Sequence, residues 1–515
     1  MKRWVLLLLG LGSISNGYAQ KPNWQGMDLK KDSLFGASTE IAYARLLQNK
    51  KWKDVIIAVI DMGIDTNHED LKNSLWTNPK EIAGNGIDDD HNGYVDDMHG
   101  WNFSECVDCK QDVTLLATRD KKFFDSLSYS TIPEAYSASY LVNRRAIREN
   151  DAERAKVSKI LLRLTFNAAV LDEILKKIGK SVPLVSDFCS YQTKDTVERL
   201  ICNLVTQALC RYDDFIAYRR KNVEEPIGVL KYQVEHAMNT DDQTREEPTD
   251  AGNNDVTGPT LLLDESSSYH GSSVTGILAA TRNNSFGIDG VADHVKIMSL
   301  RVVSFFQEMR DESLAKAIRY AVDNGARIIN MSFGNSFSLC KKHVDEAVKY
   351  AMSKDVLIVK SAGNDGIDVD KQAQFPNRFF ADSTGAAEAW ITVAASTAKD
   401  DSSLVPPFSN YGKRSIDVFA PGVHLMSTFS GSTYGDATGT SVAAPVAAGI
   451  AALIMEYYPD LTAVQVKDII MKSVVKRDIL KDKCVSGGVV NAYNALLLAA
   501  QYAGVNAKHN KLKKQ

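Results

Sequence analysis

One serine in this chain lies in a setting that would expose a reactive hydroxyl. Residues 439–445 read GTSVAAP, so Ser441 follows a glycine-threonine turn and precedes a run of small residues. Glycine permits a tight turn, and alanines let a helix pack close to the layer beneath it. We therefore expect Ser441 at a helix N-terminus, where free N–H groups and the helix dipole favour an anion such as an attacked carbonyl oxygen. Taken alone, the same pattern is more often the start of a helix in a packed core.

A histidine and an aspartate elsewhere in the chain offer the base that a serine nucleophile requires. Asp61 ends an apolar run within VIDMGIDTNHEDL, and His270 opens HGSSVTGILAA. A hydroxyl is a weak nucleophile, and histidine is the ordinary side chain whose pKa, about 6.5, lies near neutrality. With Ser441 these residues make up the nucleophile, base and orienting carboxylate of acyl transfer. Each residue by itself is more typical of a structural role, as a turn former or a packed histidine.

An Asx-rich loop offers oxygen ligands for a hard cation. Residues 84–97 read GNGIDDDHNGYVDD. The loop matches positions one to nine of a calcium loop at Asp88, Asp90, Asn92, Gly93 and Asp96. The twelfth position is His99 instead of a bidentate glutamate, and an acidic turn of this kind also forms without a metal. We expect either a structural calcium ion or a metal-free turn here, and no cofactor in the chemistry itself.

Short β-branched runs alternate with helical patterns, and these elements must position the candidate residues. The runs cover residues 55–60, 295–300, 327–331, 356–359 and 390–394, and helical patterns cover residues 313–324 and 343–353. Alternation of this kind predicts an α/β fold, a doubly wound parallel sheet with helices on both faces. Ligands bind at the carboxyl ends of such strands. Asp61 and the segments after residues 331 and 359 are therefore candidate site elements.

Residues 104–248 break this alternation and predict an α-helical insertion. Helical patterns cover residues 157–178, which Gly179 closes, and residues 196–212, which Asp195 opens with Glu198 three residues later. The polar segment 239–254 resembles a linker. The insertion is either a stabilising surface elaboration or a part that gates substrate access or binds a partner.

Five of the seven cysteines fall in or next to this insertion, at positions 106, 109, 189, 202 and 210. On one helix Cys202 and Cys210 would lie about 12 Å apart, too far for a mutual disulfide. Pairing of either residue to Cys189 or to the Cys106/Cys109 pair is more plausible. The CxxC at Cys106 has no second CxxC or histidine pair nearby, so a zinc site ranks below a disulfide or free thiols.

The N-terminus carries the pattern of an export signal. Lys2 and Arg3 precede an apolar run at residues 4–11, and small residues end at Ala19. We expect an exported protein that is periplasmic, on the cell surface or secreted. The apolar run at 442–455 is shorter than the roughly 20 residues of a membrane span. A net charge of -4 argues against nucleic acid as a partner, and we expect a monomer.

The chain order Asp61, His270, Ser441 resembles that of the subtilisin-like serine proteases. The resemblance also rests on SAGND at 361–365, FSNYG at 408–412, DVFAPGV at 417–423 and GNNDVTGP at 252–259. It covers roughly residues 35–103 and 250–500. It implies a subtilisin-like fold in which Ser441 attacks a peptide carbonyl, His270 carries the proton to the leaving amine, and Asp61 orients the imidazole.

The resemblance also implies an oxyanion site and a substrate-binding strand. Asn364 in SAGND matches the family's oxyanion asparagine, which donates together with the Ser441 backbone N–H. Ser332, Phe333 and Gly334 match the strand along which an extended peptide binds through main-chain hydrogen bonds. Phe333 is also compatible with an ordinary core position.

Two positions depart from the family pattern. Met62 follows the aspartate where threonine or serine is usual, and Ser273 replaces a second histidine. Neither residue performs the chemistry, so the departures predict an altered rate or pH optimum instead of inactivity. A catalytically silent subtilase-fold protein that binds peptides or partners is the alternative to an active endopeptidase.

These expectations divide the 515 residues into five parts. They are a signal peptide at 1–19, a short N-terminal segment at 20–34, a catalytic domain at 35–103 and 249–503, the helical insertion at 104–248, and a basic tail at 504–515.

Overall fold

The computed structural model describes residues 23–104, 112–118, 121–126, 132–209, 214–240, 268–303 and 309–512. The export signal, the Cys106/Cys109 pair, Cys210 and the GNNDVTGP motif lie outside these residues. The chain divides into two compact units. Of the described residues, one unit contains 112–118, 121–126, 132–209 and 214–240, and the other contains 23–104, 268–303 and 309–512. We call the first the insertion unit and the second the sheet unit.

The sheet unit contains a nine-stranded sheet with the order β10-β11-β7-β6-β5-β4-β1-β3-β2 and a separate β8-β9 hairpin. All neighbouring strands of the large sheet are parallel except β10 and β11, which are antiparallel. The strands are β1 Val55–Asp61, β2 Gly100–Asn102, β3 Val295–Arg301, β4 Ile328–Met331, β5 Leu357–Ser361, β6 Trp390–Ser396, β7 Val418–Pro421, β8 Leu425–Phe429, β9 Thr433–Ala437, β10 Val475–Lys476 and β11 Gly488–Val489. The five predicted strands are confirmed, because buried β-branched runs fit a sheet that is covered on both faces.

Fifteen α-helices accompany these strands in the described residues. They are α1 Leu29–Asp32, α2 Thr39–Ala42, α3 Asp112–Thr118, α4 Lys121–Asp125, α5 Ser137–Ile178, α6 Val185–Ser190, α7 Thr196–Leu209, α8 Phe215–Arg219, α9 Glu225–Tyr232, α10 Tyr269–Ala279, α11 Asp311–Asp323, α12 Lys341–Ser353, α13 Thr440–Tyr457, α14 Ala463–Ser473 and α15 Ala492–Leu512. Short 3-10 or π turns occur at Trp24–Gly26, Tyr43–Leu47, Lys72–Ser74, Glu134–Tyr136, Arg220–Glu224, Gln233–Ala237 and Asp478–Leu480.

The large sheet separates two hydrophobic layers. Ile57 and Val59 of β1 share a buried cluster with residues of α10, α13, α14 and α15, whereas Ala58 and Ile60 share another with residues of α11 and α12. This alternation follows from the period of two in a strand. The predicted fold class, a parallel α/β sheet with helices on both faces, is therefore confirmed.

Helix α13 runs through the middle of the first layer. By length and composition it is the one helix in the described part of the chain that could cross a membrane, but 94% of its 18-residue apolar window is buried inside the protein. A buried core helix of a globular fold passes the same test of length and hydropathy.

The ends of the sheet unit differ from the sequence-based boundaries. Trp24 is 1% exposed, and its indole N–H donates to the carbonyl oxygens of Val423 and His424, so the chain joins this core before residue 35. At the other end α15 continues to Leu512, so the backbone of the expected basic tail is helical as far as that residue. Lysine, leucine and alanine are good helix formers, which explains why polarity alone does not end the helix.

The described residues of the insertion unit are helical, as the sequence predicts. Helix α5 has 42 residues and ends at Gly179, whose φ of 72° and N–H bond to Leu175 O form the expected glycine cap. Its start at Ser137 is 20 residues earlier than predicted, because the polar segment before residue 157 contains no helix breaker. Asp195 Oδ1 accepts the N–H groups of Val197 and Glu198 at the start of α7.

The described cysteines are free thiols. They are Cys189, Cys202, Cys340 and Cys484. A disulfide from Cys202 to Cys189 or to the Cys106/Cys109 pair is therefore contradicted. Cys202 is instead buried in the helical core of the insertion unit with Leu171, Phe188 and Val205, where a thiol packs as a small apolar group.

Candidate active site

Strand β1 delivers Asp61 to the carboxyl edge of the sheet, where it meets His270. Asp61 is 1% exposed, and its Oδ1 lies 2.6 Å from His270 Nδ1. The same oxygen accepts the Met62 N–H at 2.8 Å. Oδ2 is buried and has no hydrogen-bond partner among the described residues, in agreement with the absence of a hydroxyl at position 62. The aspartate therefore fixes one ring nitrogen of the histidine through a single oxygen.

Helix α10 brings His270 close to β1 because the next residue is glycine. A Cβ atom on Gly271 would lie 2.0 Å from Gly63 O and 3.4 Å from Asp61 Cβ. No other residue permits this approach of helix to strand. Tyr269 packs edge-on against the imidazole with its ring centre 6.3 Å away, and burial, followed by the Asp61 charge, raises the pKa of its hydroxyl.

Ser441 is the second residue of α13, as predicted from the GTSVAAP pattern, and Gly439 is the N-cap. Ser441 is 3% exposed, and its Oγ has no hydrogen-bond partner in the described part of the chain. Its carbonyl oxygen accepts the Ser332 hydroxyl at 2.7 Å. Asp61 and His270 are thus joined by a hydrogen bond, but the Ser441 hydroxyl and the imidazole are not. The distance between a catalytic serine and histidine is often long in enzymes without substrate.

Asn364 lies beside Ser441 after β5. Its Oδ1 accepts both the N–H and the hydroxyl of Thr440, at 2.8 and 3.0 Å. With the carbonyl side of the amide held in this way, Nδ2 is turned toward the start of α13. A Cβ atom on Gly439 would lie 3.1 Å from Ser441 Oγ and 3.3 Å from Asn364 Nδ2. The serine hydroxyl and the asparagine amide therefore border the same small space, which a side chain at Gly439 would fill.

The segment after β4 runs along the edge of this site. Ser332 is buried and bonds to the Ser441 carbonyl, while Phe333 is half-buried against the α11 and α12 layer. Gly334 is exposed. Phe333 packs against the core, while the next residue, Gly334, is exposed. A core position for Phe333 is therefore compatible with a substrate-binding strand at 332–334.

Comparison with known proteins identifies the family of this chain. The sequence model of the Subtilase family matches residues 52–493, which include all three candidate catalytic residues. The chain belongs to the subtilase family.

Two relatives of this subtilase and one solved structure show the extent of the similarity. An alkaline protease of Alkalihalobacillus alcalophilus is 32% identical over 45% of this chain and 54% of its own length. A thermophilic serine proteinase of Bacillus sp. (strain AK1) is 37% identical over 36% of this chain and 42% of its own length. The chain thus spans about half the length of these relatives. A protease structure from Pseudoalteromonas arctica is 31% identical over 45% of this chain and 70% of its own, with a TM-score of 0.38.

Asn410 holds the loop that carries Asn364, a role that reasoning from the sequence missed. Its Nδ2 donates to Ala362 O at 2.9 Å, and its Oδ1 accepts the N–H groups of Asp365 and Ile367. The FSNYG motif of this subtilase contains Asn410 and is the sequence signal for this role. A buried amide that satisfies three backbone groups fixes a turn more firmly than the turn residues themselves do.

The Asx-rich loop brings Glu81 next to two of the predicted ligands, Asp88 and Asp90. Glu81, Asp88 and Asp90 have oxygens within 4.8 Å of one another. Asp96 is turned away and accepts the N–H groups of Gly84 and Gly86. The predicted residues accept backbone N–H groups within the loop: Asp88 from Asn92 and Gly93, Asp90 from Asn92, and Asn92 from Tyr94. The all-oxygen donor set of Glu81, Asp88 and Asp90 suits a hard cation.

Proposed function

We propose that this subtilase is an exported serine endopeptidase that cleaves peptide bonds through an acyl-enzyme. The observation that carries the proposal is the 2.6 Å hydrogen bond between Asp61 and His270 in the unit that also holds Ser441 and Asn364. Membership of a family whose relatives are named proteases supports it.

In the first half of the reaction His270 takes the hydroxyl proton of Ser441 as Oγ attacks the substrate carbonyl carbon. Asp61 holds Nδ1 protonated, so the opposite nitrogen is the base, and the carboxylate stabilises the imidazolium that forms. His270 then gives the proton to the leaving amine as the C–N bond breaks. Water, deprotonated by the same imidazole, releases the acid product and restores the Ser441 hydroxyl.

The oxygen of the attacked carbonyl becomes an anion in this step. Asn364 Nδ2 and the Ser441 backbone N–H are the donors that we assign to it, because both lie at the N-terminus of α13. The two bonds from Thr440 hold the asparagine amide in place before substrate arrives, so little reorganisation is needed as charge develops.

An extended substrate would add along Ser332, Phe333 and Gly334 through main-chain hydrogen bonds. Exposure of Gly334 leaves its backbone accessible, and the Ser332 bond to the Ser441 carbonyl ties this segment to the helix that carries the nucleophile. A peptide bound along this segment would lie beside Ser441.

A fluorophosphonate probe tests the proposal. It should label the wild-type protein and fail to label Ser441→Ala. Ser396→Ala is a matched control, because Ser396 is also fully buried with an unpaired hydroxyl, and this variant should label like wild type. Binding of peptides without labelling or cleavage would instead favour the catalytically silent alternative.

We also propose a structural calcium ion in the Asx-rich loop, with Asp88 and Asp90 as ligands and Glu81 in place of Asp96. Such an ion would neutralise three carboxylates held close together and so stabilise the loop. No step of the reaction uses it.

Export through the N-terminal 19 residues is part of the same proposal. Mass spectrometry of protein recovered outside the cytoplasm should give a mature N-terminus at Gln20. A chain that keeps residues 1–19 would contradict it.

A further inference from the structure

A buried lysine lies at the carboxyl end of β5. Lys360 is 3% exposed, and its Nζ donates to the carbonyl oxygen of Ser361 at 2.7 Å. It has no carboxylate partner in the described residues. Burial therefore lowers its pKa to about 7, since no opposite charge compensates for the loss of hydration.

Packing alone does not explain a lysine at this position. Lys360 pairs with Met331 in the sheet register, two residues beyond the Ile358 and Ile329 pair. These three neighbours belong to the apolar layer that contains α11 and α12. A methionine or leucine would fill such a site without the cost of burying an ammonium group.

The ammonium group adjoins the segment assigned to substrate. A Cβ atom on Gly334 would lie 3.0 Å from Lys360 Nζ and 3.2 Å from Phe375 O. Phe375 in turn pairs with Asn335 through two main-chain bonds of 2.9 and 2.8 Å. Glycine at position 334 thus leaves room for the lysine directly beside the exposed backbone.

A buried amide nitrogen without a described partner lies next to Phe375, the residue that pairs with Asn335. Gln374 precedes Phe375, and its Nε2 is buried without a hydrogen-bond partner among the described residues. Buried donors of this kind are rare, and each requires an explanation such as a ligand. Lys360 Nζ has further N–H groups besides the one that it donates to Ser361 O, and Gln374 Nε2 has no acceptor among the described residues.

We propose that Lys360, assisted by Gln374, selects substrates with aspartate or glutamate on the acyl side of the cleaved bond. This inference rests on the proposed endopeptidase function. Ser332 bonds to the Ser441 carbonyl, and Gly334 is two residues further along, about 7 Å in an extended chain. We place the side chain next to the attacked carbonyl beside Gly334, where its carboxylate pairs with the ammonium group of Lys360.

The test compares three peptides that differ only at this residue, with glutamate, its neutral isostere glutamine, or leucine. Wild type should have a kcat/KM for the glutamate peptide about tenfold or more above that for glutamine, as expected for a hydrogen bond to a charged group. Lys360→Met should reduce this ratio to about one and raise the rate for leucine. Lys371→Met is the control, because Lys371 is 83% exposed and paired with Asp368, and it should keep the wild-type ratio.

Fluorophosphonate labelling of the same samples distinguishes failure of the role of Lys360 from failure of the proposed protease function. A labelled wild type with equal rates for glutamate and glutamine would overturn the role of Lys360 and leave the protease function standing. If the wild type is not labelled, both the role of Lys360 and the protease function are refuted. The wild-type ratio alone decides the inference if Lys360→Met does not fold.

Discussion

Replacement of Gly439 by alanine should lower kcat about 10²- to 10³-fold while the protein still folds. Gly439 is the N-cap of α13, and it is the residue that leaves space between the Ser441 hydroxyl and the Asn364 amide. The added methyl group would occupy the position in which the substrate oxygen must lie.

The magnitude follows from two distances. The new Cβ atom would lie 3.3 Å from Asn364 Nδ2 and 3.1 Å from Ser441 Oγ, about the separation at which an oxyanion would accept a hydrogen bond from that nitrogen. Loss of one such donor costs about 2.7–4 kcal/mol in the transition state. The backbone φ of 155° adds a folding cost for alanine of about 1–3 kcal/mol.

The assay is steady-state hydrolysis of a peptide ester or amide, with thermal unfolding measured on the same preparation. Gly385→Ala is the matched control, since Gly385 has a φ of 127° and no atom within 4 Å of its Cβ position. It should lose stability and keep wild-type kcat. A folded Gly439→Ala variant with wild-type kcat would refute the assignment of this space to the oxyanion.

Three further predictions concern stability. Asn410→Ala should lower the free energy of unfolding by about 1–3 kcal/mol, because Ala362 O loses a buried donor, and unchanged chemical denaturation would contradict its role. Calcium should raise the melting temperature of wild type but not of a Glu81→Gln, Asp88→Asn double variant, and equal shifts in both would exclude this site. Native Lys360 holds its proton less tightly than an unfolded lysine, so stability should rise between pH 7 and 10 in wild type, and Lys360→Met should lose this rise. Parallel pH profiles for the two proteins would show that burial does not lower the pKa of Lys360.

Local patterns in the sequence predicted most of the fold. The strands at residues 55–60 and 390–394 were predictable because β-branched runs of that length fit only a strand covered on both faces. Gly179 ended α5 as expected, since a glycine cap depends on a few neighbouring residues. The start of α5 was not predictable in the same way, because its polar first turns carry no capping signal.

The candidate catalytic residues were found through motifs, and the geometry of two of them agrees with that reading. Asp61 and His270 are 209 positions apart in the chain and yet lie in hydrogen-bond contact. The departure from the family pattern at Met62, which offers no hydroxyl, is consistent with the unpaired Asp61 Oδ2. The resemblance contained nothing about the free Ser441 hydroxyl, which depends on how distant side chains pack around it.

The sequence by itself determined the sheet, the helices and the residues that could do chemistry, because each is encoded by neighbours within one or two turns of chain. Only the tertiary structure decided which groups support or surround them. Glu81 joined Asp88, Asn410 bonded to the Asn364 loop, and Lys360 became buried beside Gly334. These contacts arise when strands and loops distant in sequence pack at one edge of the sheet, and no local periodicity records which polar group will lose its water there.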